Sequence, residues 1–576
     1  MRCIIPILLL ALAASAAEPL DPSVKPTRAV IDRYAEDLEA LERRYSLRDA
    51  ESRSERLAQF YQQTLEKLRQ LKFPDLDVAG RIDYALLKTK CEAELKELAH
   101  GRKQFEEASG LIPFASAILE LEESRRNMEA AEPEAAARTL ADISSQLKQL
   151  KTTNAQVTKI VANRAARKVD DLKRILKNWH AFYAGYDPVF TWWVRQPYEK
   201  LDKELDEYAK FVRKKLAGFE GDDDEPVIGD PIGRDALLDA LAAEFIPYTP
   251  EELIEIANSE FAWCEKEMKR AADDLGLSGD WKKALDFVSK RHVKPGDQPK
   301  LICDLAEEAT QFVETNNLVT VPPLCKEVWR MEMMSIERQK VNPYFTGGEV
   351  ISVSYPTDTM SHEDKLMSMR GNNPSFSRAT VHHELIPGHH LQSFMAQRYN
   401  THRRPFRTAF LVEGWALCWE MLLWDMNFPR NAEDRVGMLF WRSHRCARII
   451  FSLNFHLEKM SAQEAIDFLV DRVGHERRNA TAEVRRSVNG SYPPLYQAAY
   501  MLGGLQIRAL HRELVKSGKM APREFHDAIL HENSIPIELI RASLKREKLE
   551  RDFKSMWRFY EPPSESGSSN RRAAAP

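Results

Sequence analysis

The chain has 576 residues, with 43% hydrophobic and 30% charged residues and a formal net charge of -4. That length is too great for one ordinary core and points to two or three lobes. Nothing in that charge balance argues for a nucleic-acid or acidic-membrane partner, and no nucleic-acid partner is expected.

The chain opens with "MRCIIPILLLALAASAAEP". A basic start, an apolar run and a small-x-small site at Ala14-Ser15-Ala16 predict a signal peptide over 1–16, cleaved before Ala17. Cys3 is too early for lipid attachment at that point. No later run is long enough to span a bilayer, so no stable membrane insertion is expected after cleavage. The expectation is an exported protein, secreted or periplasmic. Six cysteines remain, at 91, 264, 303, 325, 418 and 446, without a CxxC pair. That argues against a cysteine-zinc site; one or two disulfides stay open.

From 17 to 219 apolar residues recur every three or four positions, as in "VIDRYAEDLEALERRYSL", and predict a helical N-terminal lobe. Tyr186, Trp192 and Trp193 read as core filling, with a substrate groove as the alternative. Residues 220–235, "EGDDDEPVIGDPIGRD", read as an acidic Gly/Pro-rich linker or loop; they lack the final glutamate of a calcium loop. A second, catalytic helical lobe is expected over 236–561, with a disordered tail over 562–576. Within it Thr249, Pro250 and Glu252 form a helix-start signature. The β-branched alternation of "GGEVISVSYP" (347–356) predicts a strand, whose edge can pair with an extended peptide or close a short hairpin.

The chemistry concentrates in "TVHHELIPGHHLQ" (380–392). A zinc-peptidase helix carries His-Glu-x-x-His, which sets two imidazoles on one face beside a general base. Here His383 and Glu384 begin that pattern, but the position four after His383 is Pro387. On a straight helix His383 and His390 are separated by roughly 700° and share a face. If Pro387-Gly388 forms a two-residue bulge, His389 takes the second ligand's place instead. Both histidines stay open. A third ligand is expected from "AFLVEGWALCWEMLLW" (409–424), an apolar helix with Glu413 and Glu420 on one face. Glu413 suits the metal, and Glu420 suits a supporting hydrogen bond to a histidine.

"HELIPGHHLQ" and "EGWALCWE" together resemble the family known as domain of unknown function 885, with Cys418 in place of a tyrosine. "AEVRRSVNGSYPPLYQAAYMLGG" (482–504) resembles a third segment of that family: Arg486, Pro494, Tyr500 and Gly503 fit, whereas Ser487 and "PLYQ" depart. Members look like gluzincin-type zinc metallopeptidases. The resemblance implies a mainly α, two-lobed, multi-helix fold, with a small β-hairpin or sheet beside the active-site helix. It implies Zn2+ held by His383, His389 or His390, and Glu413, with Glu384 as general base.

Tyr500 is then the candidate to stabilise an oxyanion, and Arg486 the candidate to pair with a substrate carboxylate. The expected function is an exported zinc-dependent hydrolase of peptide or small amide substrates, its zinc-bound water activated by Glu384. The alternatives are a non-catalytic helical binding protein with a structural metal and an amidase acting on cell-wall peptides. The residues do not specify an oligomeric state.

Overall fold

Helical spacing in the sequence becomes helix along most of the described chain in the computed structural model, which covers residues 25–152, 156–219, 227–341, 345–490 and 492–562. The expected signal peptide lies outside the described residues. So do the acidic run 220–226 and the tail from 563. Thr249 caps the helix Pro250–Asp274 as its sequence requires: its hydroxyl accepts from the Glu252 amide, and the Glu252 carboxylate accepts from the Thr249 amide at 2.8 Å. Among the described residues no helix is long and apolar enough to cross a membrane. The six described cysteines are unpaired.

The apolar residues form two large cores. One is drawn from residues between Leu47 and Ala217. The other joins residues 31–91 to residues 237–559. The helix Val78–Ala108 belongs to both: Ile82, Leu87 and Cys91 enter the larger core and Ala108 the smaller. Asp83 on that helix is buried against Arg403 at 2.7 Å, and Arg81 donates to the Leu549 carbonyl at 3.0 Å. The acidic segment therefore divides the sequence without dividing the core. Its described end is held in place, with Asp230 paired to Arg164 and Arg167 at 2.7 and 2.9 Å.

Two short strands, β1 (Arg330–Met333) and β2 (Val350–Val353), form a parallel sheet. β2 is the strand expected near 347–356. Its partner was not legible, because "RMEM" lacks β-branched alternation. Thr346 bridges Ser352 on the other side of β2, so that edge is paired at Ser352. Ile351 and Val353 pack with Val381 and Leu385, which fixes the sheet against the histidine motif.

Tyr186, Trp192 and Trp193 are not core: they are 87%, 84% and 42% exposed, at and just after the turn between the helices Lys159–Tyr183 and Pro188–Phe211. Apolar type alone suggested burial, but Tyr186 sits in the turn and Trp192 and Trp193 lie exposed on the first turns of the following helix.

The helices Ala409–Asp425 and Tyr496–His511 cross at glycines. A Cβ on Gly503 would run into the Phe410 carbonyl oxygen, and one on Gly414 into the Gly503 backbone. This contact sets Glu413 opposite the tyrosines of the second helix. Gly503→Ala is expected to lower unfolding free energy by about 1–3 kcal/mol through overpacking. Chemical denaturation measures it; an unchanged midpoint would contradict the close crossing.

Candidate functional site

The motif helix Pro374–Glu384 starts at Asn373, whose side-chain oxygen accepts from the Ser375 and Phe376 amides at 3.0 Å each. It stops at Glu384, and a second helix runs from His389 to Ala396. The expected two-residue bulge in one helix is thus a complete break. The chain folds back through Leu385–Gly388, with the Gly388 amide donating to the His382 carbonyl at 3.0 Å and the His390 amide to the Leu385 carbonyl at 3.1 Å. Gly388 lies so close to the His383 carbonyl that a Cβ would overlap it. Trp415 Nε1 donates to the Pro387 carbonyl at 2.8 Å and pins the break from the facing helix.

This path decides between the adjacent histidines. The His389 ring lies 4.7 Å from the His383 ring, nearly perpendicular to it. His390 turns away: its Nε2 donates to the Cys325 carbonyl at 2.7 Å, and burial lowers its pKa. His390 is therefore corrected as a candidate ligand. A straight helix would have aligned it with His383; the break aligns His389 instead. His382 is also turned away, its Nδ1 on the Arg378 carbonyl at 2.7 Å, and burial lowers its pKa to about 4.

His383, His389 and Glu413 converge, each offering a ligand atom within 4.8 Å of the others. Glu413 Oε2 is 3.2 Å from His389 Nε2 and 3.8 Å from His383 Nε2. It forms no regular hydrogen bond although it is buried. Atoms arranged tetrahedrally around a zinc ion at its usual bond lengths stand about 3.4 Å apart. Donor types and separations fit such a cation.

The supporting contacts fit as well. His383 Nδ1 donates to Glu420 Oε1 at 2.6 Å, leaving Nε2 for the cluster. Arg445 lies 3.7 Å from the same Glu420 oxygen. Tyr496 donates to Glu413 Oε1 at 2.7 Å, leaving Oε2 for the cluster. Burial alone would lower the His383 pKa, but Glu413 and Glu420 outweigh it and raise it to about 9. Burial would raise Glu413, yet His389 and His383 hold it well below the usual carboxylate range. The ionised carboxylates make the centre a place for positive charge.

Glu384 is half-buried beside the cluster, and among the described residues no cation pairs with its carboxylate. Gly347, ahead of β2, packs directly on its side chain and leaves no space for a Cβ. The Tyr500 ring stacks 6.3 Å from His383, and its hydroxyl donates to Tyr496 at 3.4 Å. Burial, with Glu413, pushes the Tyr500 pKa up to about 12, so the hydroxyl keeps its proton. Arg486 stands apart from the trio and pairs with Glu483 on its own helix.

Sequence reasoning did not single out Tyr496, which holds Glu413, or Arg445, which faces Glu420. Tyr496 lies in "PLYQ", where the sequence departs from the family pattern. Its spacing of four from Tyr500 was the available signal.

Fold and site define a mainly helical protein with a His-His-Glu cluster drawn from three helices, Pro374–Glu384, His389–Ala396 and Ala409–Asp425. The family described as "Bacterial protein of unknown function (DUF885)" matches residues 35–544, and the chain belongs to it. No curated protein matches the chain. Among solved structures it is similar to a protein provisionally described as a lipoprotein of unknown function from Shewanella oneidensis. That likeness has a TM-score of 0.67 and 17% identity, covering 91% of this chain and 100% of the other. A second protein with a provisional lipoprotein description, from Colwellia psychrerythraea, is similar with a TM-score of 0.58 and 14% identity, covering 91% and 98%. At those identities the likeness concerns the fold.

Glu420→Ala removes the acceptor for His383 Nδ1 and leaves Arg445 facing no carboxylate. The expected loss is about 2–3 kcal/mol of unfolding free energy, measured by urea denaturation. A loss under about 0.5 kcal/mol, the scale of an ordinary surface substitution, would contradict the contact's structural role.

Proposed function

We propose that the chain is an exported, zinc-dependent hydrolase of peptide or amide bonds, gluzincin-like and two-lobed. The observation that carries this reading is the convergence of His383 Nε2, His389 Nε2 and Glu413 Oε2 beside an unpaired Glu384. The two large cores, bridged by the helix Val78–Ala108, support the two-lobed reading. The lipoprotein descriptions of the similar structures, with the signal-like start of the sequence, support export.

His383, His389 and Glu413 would hold the ion. When bound, zinc would act as a Lewis acid that polarises a carbonyl and acidifies water. Glu384 takes a proton from the attacking water and returns it to the leaving amine. Tyr500, protonated and facing His383, donates a hydrogen bond to the developing oxyanion. Glu420 and Tyr496 fix the orientation of His383 and Glu413. The unpaired Glu384 favours catalysis over a structural metal, because a closed structural site has no use for a base.

Two experiments test this. The purified chain is expected to carry one zinc ion by elemental analysis, lost in His389→Ala and kept in His390→Ala. Glu384→Gln is expected to keep zinc while cleavage of a mixed peptide pool falls about 10²–10⁴-fold, the range for a general base. Cleavage unaffected by a chelator would sink the zinc mechanism.

The two tyrosines are expected to separate. Tyr496→Phe weakens zinc binding about 10–100-fold in a chelator competition. Tyr500→Phe leaves zinc affinity alone and lowers kcat about 10²–10³-fold. Identical effects from both would contradict their separate roles.

A further inference from the structure

The helix Ala432–His456 buries Arg445 and Arg448 beside the candidate centre. Their guanidinium carbons lie 4.8 and 4.5 Å from the centroid of the Tyr500 ring. Arg486 joins them through Glu483. Arg448 Nε donates to Glu483 Oε1 at 2.7 Å, and Arg486 Nη2 donates to Glu483 Oε2. Glu483 is thus shared by two guanidinium groups. Glu420 is already held by His383 and lies 3.7 Å from Arg445. Arg445 Nε, Arg448 Nη1 and Arg486 Nε are buried without a hydrogen-bond partner. Three cations with one dedicated carboxylate leave this region short of negative charge. Buried unpaired charge is costly, so such an arrangement is suited to an anion supplied from outside.

An aromatic wall connects the arginines to the His383 side. Tyr492 stacks on Tyr496 at 4.4 Å, Tyr496 meets Tyr500 edge-on at 5.7 Å, and Arg486 lies 5.9 Å over Tyr492. All three tyrosines are partly exposed. The Tyr500 ring lies 6.3 Å from the His383 ring and 4.5 and 4.8 Å from the Arg448 and Arg445 guanidinium carbons, so the path between them is no longer than about three residues of extended peptide, at about 3.3–3.6 Å per residue.

We propose that Arg445, Arg448 and Arg486 bind the free C-terminal carboxylate of a peptide substrate, so that hydrolysis removes residues from the carboxyl end. This rests on the hydrolase reading above. Guanidinium groups pair with a carboxylate through two parallel hydrogen bonds, which fixes its orientation as well as its charge. The tyrosine wall receives the terminal side chain. In the reaction, water oxygen bonds to the carbonyl carbon, the C–N bond breaks, and the water proton passes through Glu384 to the leaving amine. A free amino acid or dipeptide leaves together with a shortened peptide. The same chemistry would accept an acidic side chain, and the test separates the two sources.

The test uses the full zinc-loaded chain and N-acetylated Ala-Ala-Phe and Ala-Glu-Phe peptides, each as the free acid and as the C-terminal amide. The acids are expected to be preferred in kcat/KM by about 100-fold, carried mainly by KM, as when one partner of a buried charge pair is removed. In Glu384→Gln, calorimetry should show the same preference in binding. Arg448→Gln and Arg486→Gln are expected to reduce it below tenfold. If either variant fails to fold, the acid–amide comparison on the unaltered chain still decides. Equal cleavage of acids and amides would overturn the carboxylate site while leaving the hydrolase standing. A preference that follows internal glutamate irrespective of the terminus would overturn the C-terminal assignment. Binding of acids over amides without cleavage of either would support the anion site and overturn the hydrolase.

Discussion

A carboxylate buried between two imidazoles sets the terms for the rest of the site. Glu413 sits inside an apolar helix, where an ionised group is costly unless positive charge faces it. His383 and His389 supply that face from the two segments of the broken motif helix. Tyr496 donates to the other carboxylate oxygen, so Oε2 is the Glu413 atom left for the cluster. Every neighbouring feature serves to hold this geometry. Glu420 fixes the His383 ring, Trp415 fixes the break, and Gly414 and Gly503 let the two helices approach closely enough for the tyrosine to reach.

The break in the motif illustrates how local chemistry and tertiary contacts divide the work. Pro387 lacks an amide to continue a helix, and Gly388 passes where no side chain fits. Those facts belong to the residues. The direction taken by the chain after the break depends on partners distant in sequence: the Trp415 indole against the Pro387 carbonyl, and the Cys325 carbonyl that accepts from His390. The small sheet then closes the other side, with Val353 packed among Val381 and Leu385, and Gly347 against Glu384.

Much of the fold was legible from short patterns. The Thr249 capping box is local, involving groups three residues apart, and it forms as its sequence requires. The helices follow from apolar spacing, and β2 from β-branched alternation. Other features were hidden because their causes are not local. β1 takes its conformation from β2, since "RMEM" has no strand signal of its own. Residues 31–91 join the larger core through packing and the Asp83–Arg403 pair, across more than three hundred residues, while the acidic segment marks a change of composition. Trp192 and Trp193 look like core by type, yet lie exposed on the first turns of the helix Pro188–Phe211.

By itself the sequence determined the residue types at the site: a histidine and glutamate at the end of one helix, two further histidines after a forced break, and two glutamates a double turn apart. Chain geometry within a few residues suffices for that. The tertiary structure alone decided which of His389 and His390 faces His383, because adjacent helical positions point about 100° apart and the preceding turn sets their phase. It also decided that Tyr496 holds Glu413 and that Arg445 and Arg448 crowd Tyr500. Those contacts join helices far apart in sequence, and no local spacing encodes how two helices cross.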